Sequence, residues 1–236
     1  MTELLYHSES YLKQFEATVT DVVADGVVLN RTAFYVGGGG QPADLGILTL
    51  GNREYSVTGI KRTDGQLVHL ITGELPSEGS MVTGQIDWAR RNLLMRTHSA
   101  LHILCGVVWR DYGAQVTGGD MKPGEGRMDF EFENFSASLV DELEAKVNAE
   151  VEKHRLIHIN NLNREEADQV PDLIRTKVNL LPSGIQEIRT IEIDGLDLQA
   201  DGGTHVANTR EVGAIKVVGH ESKGRINKRI RITLEG

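Results

Sequence analysis

A single cysteine, Cys105, stands among the 236 residues, so no disulfide can form within the chain. Also missing is any uninterrupted apolar run of about 18 residues, the length that crosses a membrane as a helix. The N-terminus lacks the basic-then-apolar pattern of a secretory leader. Together these absences place the expected home of the chain in a reducing cytoplasm, with no membrane partner. No internal repeat or low-complexity segment occurs, and a 39% apolar content suffices for one large core or two modest ones. A soluble globular protein is the expectation.

Positive charge is also scarce. The formal charge of −9 would argue against a nucleic-acid partner if it were evenly spread, because phosphate binding is mostly neutralisation by Lys and Arg. It is uneven. Lys216, Lys223, Arg225, Lys228, Arg229 and Arg231 face only one acid, Glu221, in the same stretch, whereas acids crowd into Asp141 to Glu152 as on a solvated helix face.

Hydrophobic periodicity divides the chain in two. EATVTDVV, VVLN, EYSVTGI and LVHLI read as short strands, and the Ala24-Asp25-Gly26 and Thr63-Asp64-Gly65 stretches between them are hairpin signals. Gly, Pro, Ser and Glu concentrate around Thr72 to Gly84, and a boundary is expected near residue 88, giving domains 1–88 and 89–236. Beyond it, ARRNLLMRTHSALHILCGVVWRDY repeats Leu94, His98, Leu101, Cys105 and Val108 at three- and four-residue steps, which predicts a helix. RMDFEFENF sets Met128, Phe130 and Phe132 against Asp129, Glu131 and Glu133, which predicts a strand with one buried face. Ser136 is the expected cap of a helix along Leu139, Leu143, Val147 and Val151, and EIRTIEI and NKRIRITL read as further strands. The second domain is therefore expected to be α+β.

Within this frame two fragments carry chemistry. His98 and His102 in RTHSALH, four apart on a helix, share a face about 5 to 6 Å apart, a separation that suits one zinc ion. Ser99 follows His98 where a metalloprotease would have its glutamate, which excludes that mechanism. In DGGTH, His205 offers a third ligand and Asp201 a fourth, with Gly202 and Gly203 permitting close backbone approach. Each fragment also has a plain alternative: the first a pair of hydrogen-bonded histidines, the second a surface turn. Cys105, three residues after His102, reads as a small core residue.

RTHSALHIL, then ADGGTHVANTREVG and KGRINKRIRI, closely resemble the AlaX family, free-standing relatives of the alanyl-tRNA synthetase editing domain. FYVGGGGQPADLG resembles the glycine-rich stretch of that family's N-terminal domain, present in its medium form. The resemblance implies a small β-barrel-like domain followed by a two-layer α+β editing domain of the threonyl/alanyl-tRNA synthetase second-additional-domain type. It implies hydrolysis of alanine tRNA carrying the wrong amino acid, chiefly serine and also glycine. One zinc ion per chain would be held by His98, His102 and His205, with residue 201, where many members have cysteine, occupied here by Asp201.

On this reading zinc either lowers the pKa of a bound water to about 7 or orients the ester for attack. Thr97, Thr117 and Asp201 are the candidate catalytic residues, the two threonines as partners of the serine hydroxyl. Gly38, Gly39 and Gln41 in the glycine-rich loop and Lys223, Arg225, Lys228 and Arg229 in the basic tail are the candidate substrate and tRNA contacts, with Arg90, Arg91 and Arg96 adding to the basic surface. The glycine-rich loop lacks the GK[ST] ending of a phosphate loop, so no nucleotide cofactor is expected. The expected state is a monomer or homodimer. Two other classes fit the same residues: a zinc hydrolase of small esters, and a non-catalytic tRNA-binding module with a structural ion.

Overall fold

A computed structural model of the chain describes residues 2–132, 137–176 and 184–235. It separates into two compact units, Met1–Asn92 and Leu93–Gly236.

The first unit is a closed six-stranded barrel with a short two-stranded ribbon. Its strands are β1 (Glu3–Leu4), β2 (Gln14–Val23), β3 (Gly26–Leu29), β4 (Arg31–Thr32), β5 (Gly46–Leu50), β6 (Arg53–Thr63), β7 (Gln66–Ile71) and β8 (Met81–Ile86). β1 pairs with β4, and the barrel runs β2-β3-β7-β6-β5-β8 before β8 closes on β2. Alternation builds it: Phe15, Ala17 and Val19 on β2 point inward with Leu48, Val57 and Val82, while the residues between them face outward or lie at the edge. The hairpin β6–β7 turns on Asp64 and Gly65, both at positive φ, which is what a two-residue Asp-Gly turn requires.

One buried ion pair organises this unit. Arg91 and Asp44 are both fully buried; Arg91 Nε donates to Asp44 Oδ2 at 2.8 Å and Nη2 pairs with the same oxygen. The guanidinium also donates to the main-chain carbonyls of Ser10 (3.0 Å) and Ala33 (2.6 Å), and Asp44 Oδ2 accepts the Tyr35 N–H at 2.7 Å. Three stretches of loop are thereby held by one cation.

The second unit mixes helices with two antiparallel sheets. Helix α1 (Trp88–Tyr112) begins in the first unit and continues through the second. It is followed by β9 (Val116–Lys122), β10 (Glu125–Glu131), α2 (Ala137–Val151), β11 (Ile157–Asn163), α3 (Arg164–Gln169), β12 (Glu187–Ile193), β13 (Asp197–Ala200), β14 (Ala214–Ser222) and β15 (Asn227–Glu235). The four-stranded sheet has the order β14-β15-β10-β9 and the three-stranded one β11-β12-β13. Leu143, Val147 and Val151 of α2 are buried, at the four-residue step the sequence showed. The Asn148 amide brackets the Ile215 backbone, accepting its N–H at 2.9 Å and donating to its C=O at 2.8 Å, so α2 covers the open edge of β14. The expected cap Ser136 lies outside the described residues, as does Glu133.

The chain is thus α+β, with a barrel preceding a mixed second unit. Among the described residues no helix is long and apolar enough to cross a membrane.

Candidate metal centre

α1 is buried on several sides: Leu94, Met95, Leu101, Ile103, Leu104, Val107 and Val108 are all enclosed, as is Cys105. A helix so surrounded places its polar side chains in the interior as well. His98 and His102 are 5% and 7% exposed, with ring centroids 5.1 Å apart. His205 reaches them from the loop after β13, its ring 4.2 Å from His98 and 4.7 Å from His102.

Asp201 completes the group. Its Oδ1 lies 3.0 Å from His205 Nε2 and its Oδ2 lies 3.6 Å from His98 Nε2. One ligand atom from each of His98, His102, Asp201 and His205 lies within 4.8 Å of all the others, so the four could hold a metal ion. The set is three imidazole nitrogens and one carboxylate, four donors as a tetrahedral zinc takes. An oxygen donor beside three imidazoles also suits zinc chemically.

The DGGTH segment is both a turn and a ligand arm. Gly203 N–H donates to Asp201 Oδ1 at 2.7 Å, closing the turn on the carboxylate. Asp201 N–H donates to Arg189 O at 3.1 Å, and Arg189 Nη1 returns a bond of 2.8 Å to Asp201 O.

Further groups set the orientation of the rings. His102 Nδ1 lies 3.1 Å from Asp197 Oδ2, and His205 Nδ1 lies 3.2 Å from Ser99 Oγ, which also accepts the Val206 N–H at 3.3 Å. With Nδ1 engaged, Nε2 of both rings is left for the centre. Burial drives the pKa of His98 well below the usual value, and the nearby histidines add to this against the pull of Asp201. Burial likewise lowers His205, to about 4. Burial opposes protonation of His102 too, but the hydrogen bond and charge of Asp197 outweigh it and raise its pKa. Burial opposes ionisation of Asp201, yet attraction to His98 and the other imidazoles draws it well below the carboxylate range. Neutral imidazoles and an ionised carboxylate are the forms that bind a cation.

Comparison with known proteins decides the family. Residues 7–90 match the family of class II (A) tRNA synthetases, and residues 188–231 match the threonyl and alanyl tRNA synthetase second additional domain. The chain is 37% identical to the alanyl-tRNA editing protein AlaX-M of Methanosarcina barkeri, covering 99% of both chains. It is 40% identical to the AlaX-M of Saccharolobus solfataricus over the full length of both. The chain belongs to the AlaX-M family of alanyl-tRNA editing proteins. The alanine–tRNA ligase of Pyrobaculum aerophilum is also similar, at 38% identity over 92% of this chain but only 25% of that enzyme. A segment similar to most of this chain thus also occurs within a larger enzyme.

The other residues singled out by sequence are spread over both units. Thr97 is buried, its Oγ1 donating to Leu93 O at 2.7 Å and accepting the Gly124 N–H at 3.0 Å. Thr117 is exposed on β9 and donates to Asn227 Oδ1 at 3.0 Å. In the first unit Gly37, Gly38, Gly39 and Gly40 all take positive φ, so four consecutive glycines shape a defined turn. Gly38 and Gln41 exchange backbone bonds of 3.0 and 2.9 Å, the Tyr35 hydroxyl donates to Gly38 O at 3.0 Å, and Gln41 is buried.

In the basic tail, Arg225 is exposed, while Lys228 Nζ is engaged with Ser222 Oγ (2.8 Å), Gly224 O (2.9 Å) and Arg225 O (3.1 Å). Lys223 pairs with Glu221 at 2.8 Å, and Arg229 forks onto Asp129 with two bonds of 2.7 Å. Asp129, on the polar side of the β10 alternation, is consequently buried, and Arg229 is only 17% exposed.

Proposed function

We propose that the chain is a trans-editing hydrolase that deacylates tRNA(Ala) carrying the wrong amino acid, chiefly serine and also glycine, with one zinc ion in the second unit. The observation that carries this reading is the convergence of His98, His102, Asp201 and His205 in a chain whose full-length relatives are alanyl-tRNA editing proteins.

Bound at these donors, zinc supplies positive charge that polarises an ester carbonyl and favours ionisation of a water molecule near neutral pH. The side chains do the rest. Burial keeps His98 and His205 neutral, so their Nε2 lone pairs stay available, and the Asp201 carboxylate offsets part of the ion's charge. Serine is distinguished from alanine by a polar partner for its hydroxyl, since the smaller alanine cannot be excluded by size. Of the two threonines, Thr97 is buried with its hydroxyl bonded to backbone on both sides, whereas Thr117 is exposed and bonded to the Asn227 side chain, so Thr117 is the candidate tested first. Thr117→Val is expected to lower serine-over-alanine selectivity; an unchanged ratio removes Thr117 from this role. The exposed Arg225 and Arg231 supply phosphate contacts, and the reaction uses no nucleotide cofactor and takes place in the cytoplasm, as a monomer or homodimer.

A four-donor group also supports a second reading, in which the ion is structural and the chain a non-catalytic tRNA-binding module. The two separate in one experiment. Ser-tRNA(Ala) and Ala-tRNA(Ala) are offered to native, chelator-stripped and zinc-reloaded protein. Editing predicts cleavage of the serine ester alone, lost on stripping and restored by zinc. Zinc-loaded protein that binds tRNA and cleaves neither ester would establish the binding module.

A further inference from the structure

Behind the His102 ring lies a buried polar cluster that the four-residue centre does not include. Asp197, at the start of β13, has a side chain with no exposed surface. Its Oδ2 meets His102 Nδ1 at 3.1 Å and accepts from Gln199 Nε2 at 2.6 Å. Arg175, stacked 4.7 Å over the Trp109 ring, brings Nη2 to 3.6 Å from Oδ1. The cluster depends on a close approach of the β12–β13 turn to α1. Gly106, one turn beyond His102, permits it: a Cβ there would lie 2.9 Å from Leu196 Cγ and 3.1 Å from Asp197 Cβ.

The arrangement is asymmetric. His205 turns Nδ1 to the neutral hydroxyl of Ser99, whereas His102 turns it to a carboxylate. A carboxylate behind an imidazole fixes the ring proton on the nitrogen it faces and strengthens the opposite nitrogen as a metal donor. It also locks the plane of the ring, and here Gln199 fixes the carboxylate in turn.

We propose that Asp197, held by Gln199 and Arg175, is a positioning residue that makes His102 the anchoring ligand of the metal centre. The proposal rests on the metal-centre reading above. It assigns to Asp197 an effect that passes through His102, not a general contribution to the fold.

Cobalt(II) provides the probe. Metal-free wild type, Asp197→Asn, His102→Ala and the double variant are titrated with Co2+, following its visible absorption, and Zn2+ affinity is measured against a competing chelator. Asp197→Asn keeps the shape but removes the charge, and is expected to weaken both affinities by about 10- to 100-fold and shift the cobalt spectrum. In the His102→Ala background the same change is expected to have no further effect. Equal losses in both backgrounds would show a merely structural role and overturn the proposal, as would an Asp197→Asn affinity equal to wild type.

Should Asp197→Asn not fold, Gln199→Leu carries the test, since it releases one bond to the carboxylate without removing the charge. Its expected loss is about threefold, and unchanged affinity overturns the proposal. Wild type that takes up no cobalt would instead bring down the metal-centre reading itself, and this proposal with it.

Discussion

His69 in the first unit and His98, His102 and His205 in the second are all buried, yet they are built for opposite ends. His69 sits in the barrel wall with Nε2 2.9 Å from Thr32 Oγ1 and Nδ1 3.3 Å from Val27 O, so both nitrogens are satisfied by barrel residues. In the second unit the bonds run outward, to Asp197 and Ser99, and the remaining ring nitrogens face one another beside Asp201. The first pattern completes a core; the second concentrates lone pairs and negative charge where a cation would lie. Burial alone does not identify a functional histidine. The direction of its hydrogen bonds does.

The largest expected effect breaks the second pattern alone. His205→Ala is expected to weaken metal binding and lower deacylation by about a hundredfold or more, with the second unit still folded, whereas His69→Ala is expected to keep the metal affinity and lose stability. Metal analysis, circular dichroism and deacylation assays on the two variants check this. If both lose the metal, the distinction between the units fails.

Next in size is the buried pair of the first unit. Arg91→Leu leaves Asp44 buried without its cation and is expected to cost about 3 to 5 kcal/mol in urea unfolding. A loss below about 1 kcal/mol would mean that the pair is dispensable.

The acid sensitivity of His69 is smaller. Burial lowers its pKa to about 4 in the folded state, against about 6.5 unfolded, so protonation favours the unfolded chain. Its contribution is full above pH 6.5 and is lost as pH falls from about 6.5 towards 4, up to about 3 kcal/mol in all. His69→Gln is expected to flatten that part of the stability curve relative to wild type; an unaltered slope would contradict the assignment.

The smallest effect concerns the glycine turn. Gly39 has φ +59°, and a Cβ added there would meet nothing within 4 Å, so Gly39→Ala carries a conformational cost only. That cost is about 1 kcal/mol, measured by thermal or urea unfolding. A neutral result would mean that the turn adapts its backbone.

These patterns were unequally legible in the sequence. Helix α1 and strands β12 and β15 follow from periodicity, because their buried faces repeat at 3.6 or 2 residues. The His98–His102 pair is a local signal as well, but its meeting with the DGGTH loop is not. Ser99 and His205 are 106 positions apart, and no spacing rule brings them together; the family resemblance did. Ser99, Arg189, Asp197 and Gln199 were missed because residues that support ligands follow no fixed spacing.

Sequence alone makes Arg229 one of the basic-tail tRNA contacts. The β10–β15 register sets it directly opposite Asp129, and the pairing buries Asp129 and leaves Arg229 half-buried. An Arg229→Glu reversal therefore places two carboxylates together and tests the strand pairing as much as RNA binding. Such a partner is invisible until the register is known.

The most direct test of the account is the metal content of the purified wild type and of the His98→Ala, His102→Ala, Asp201→Ala and His205→Ala variants, with Ser-tRNA(Ala) hydrolysis measured on the same samples. The account expects one zinc per chain and active hydrolysis in the wild type, with metal and activity falling together in the variants. Full hydrolysis by a metal-free variant would contradict it.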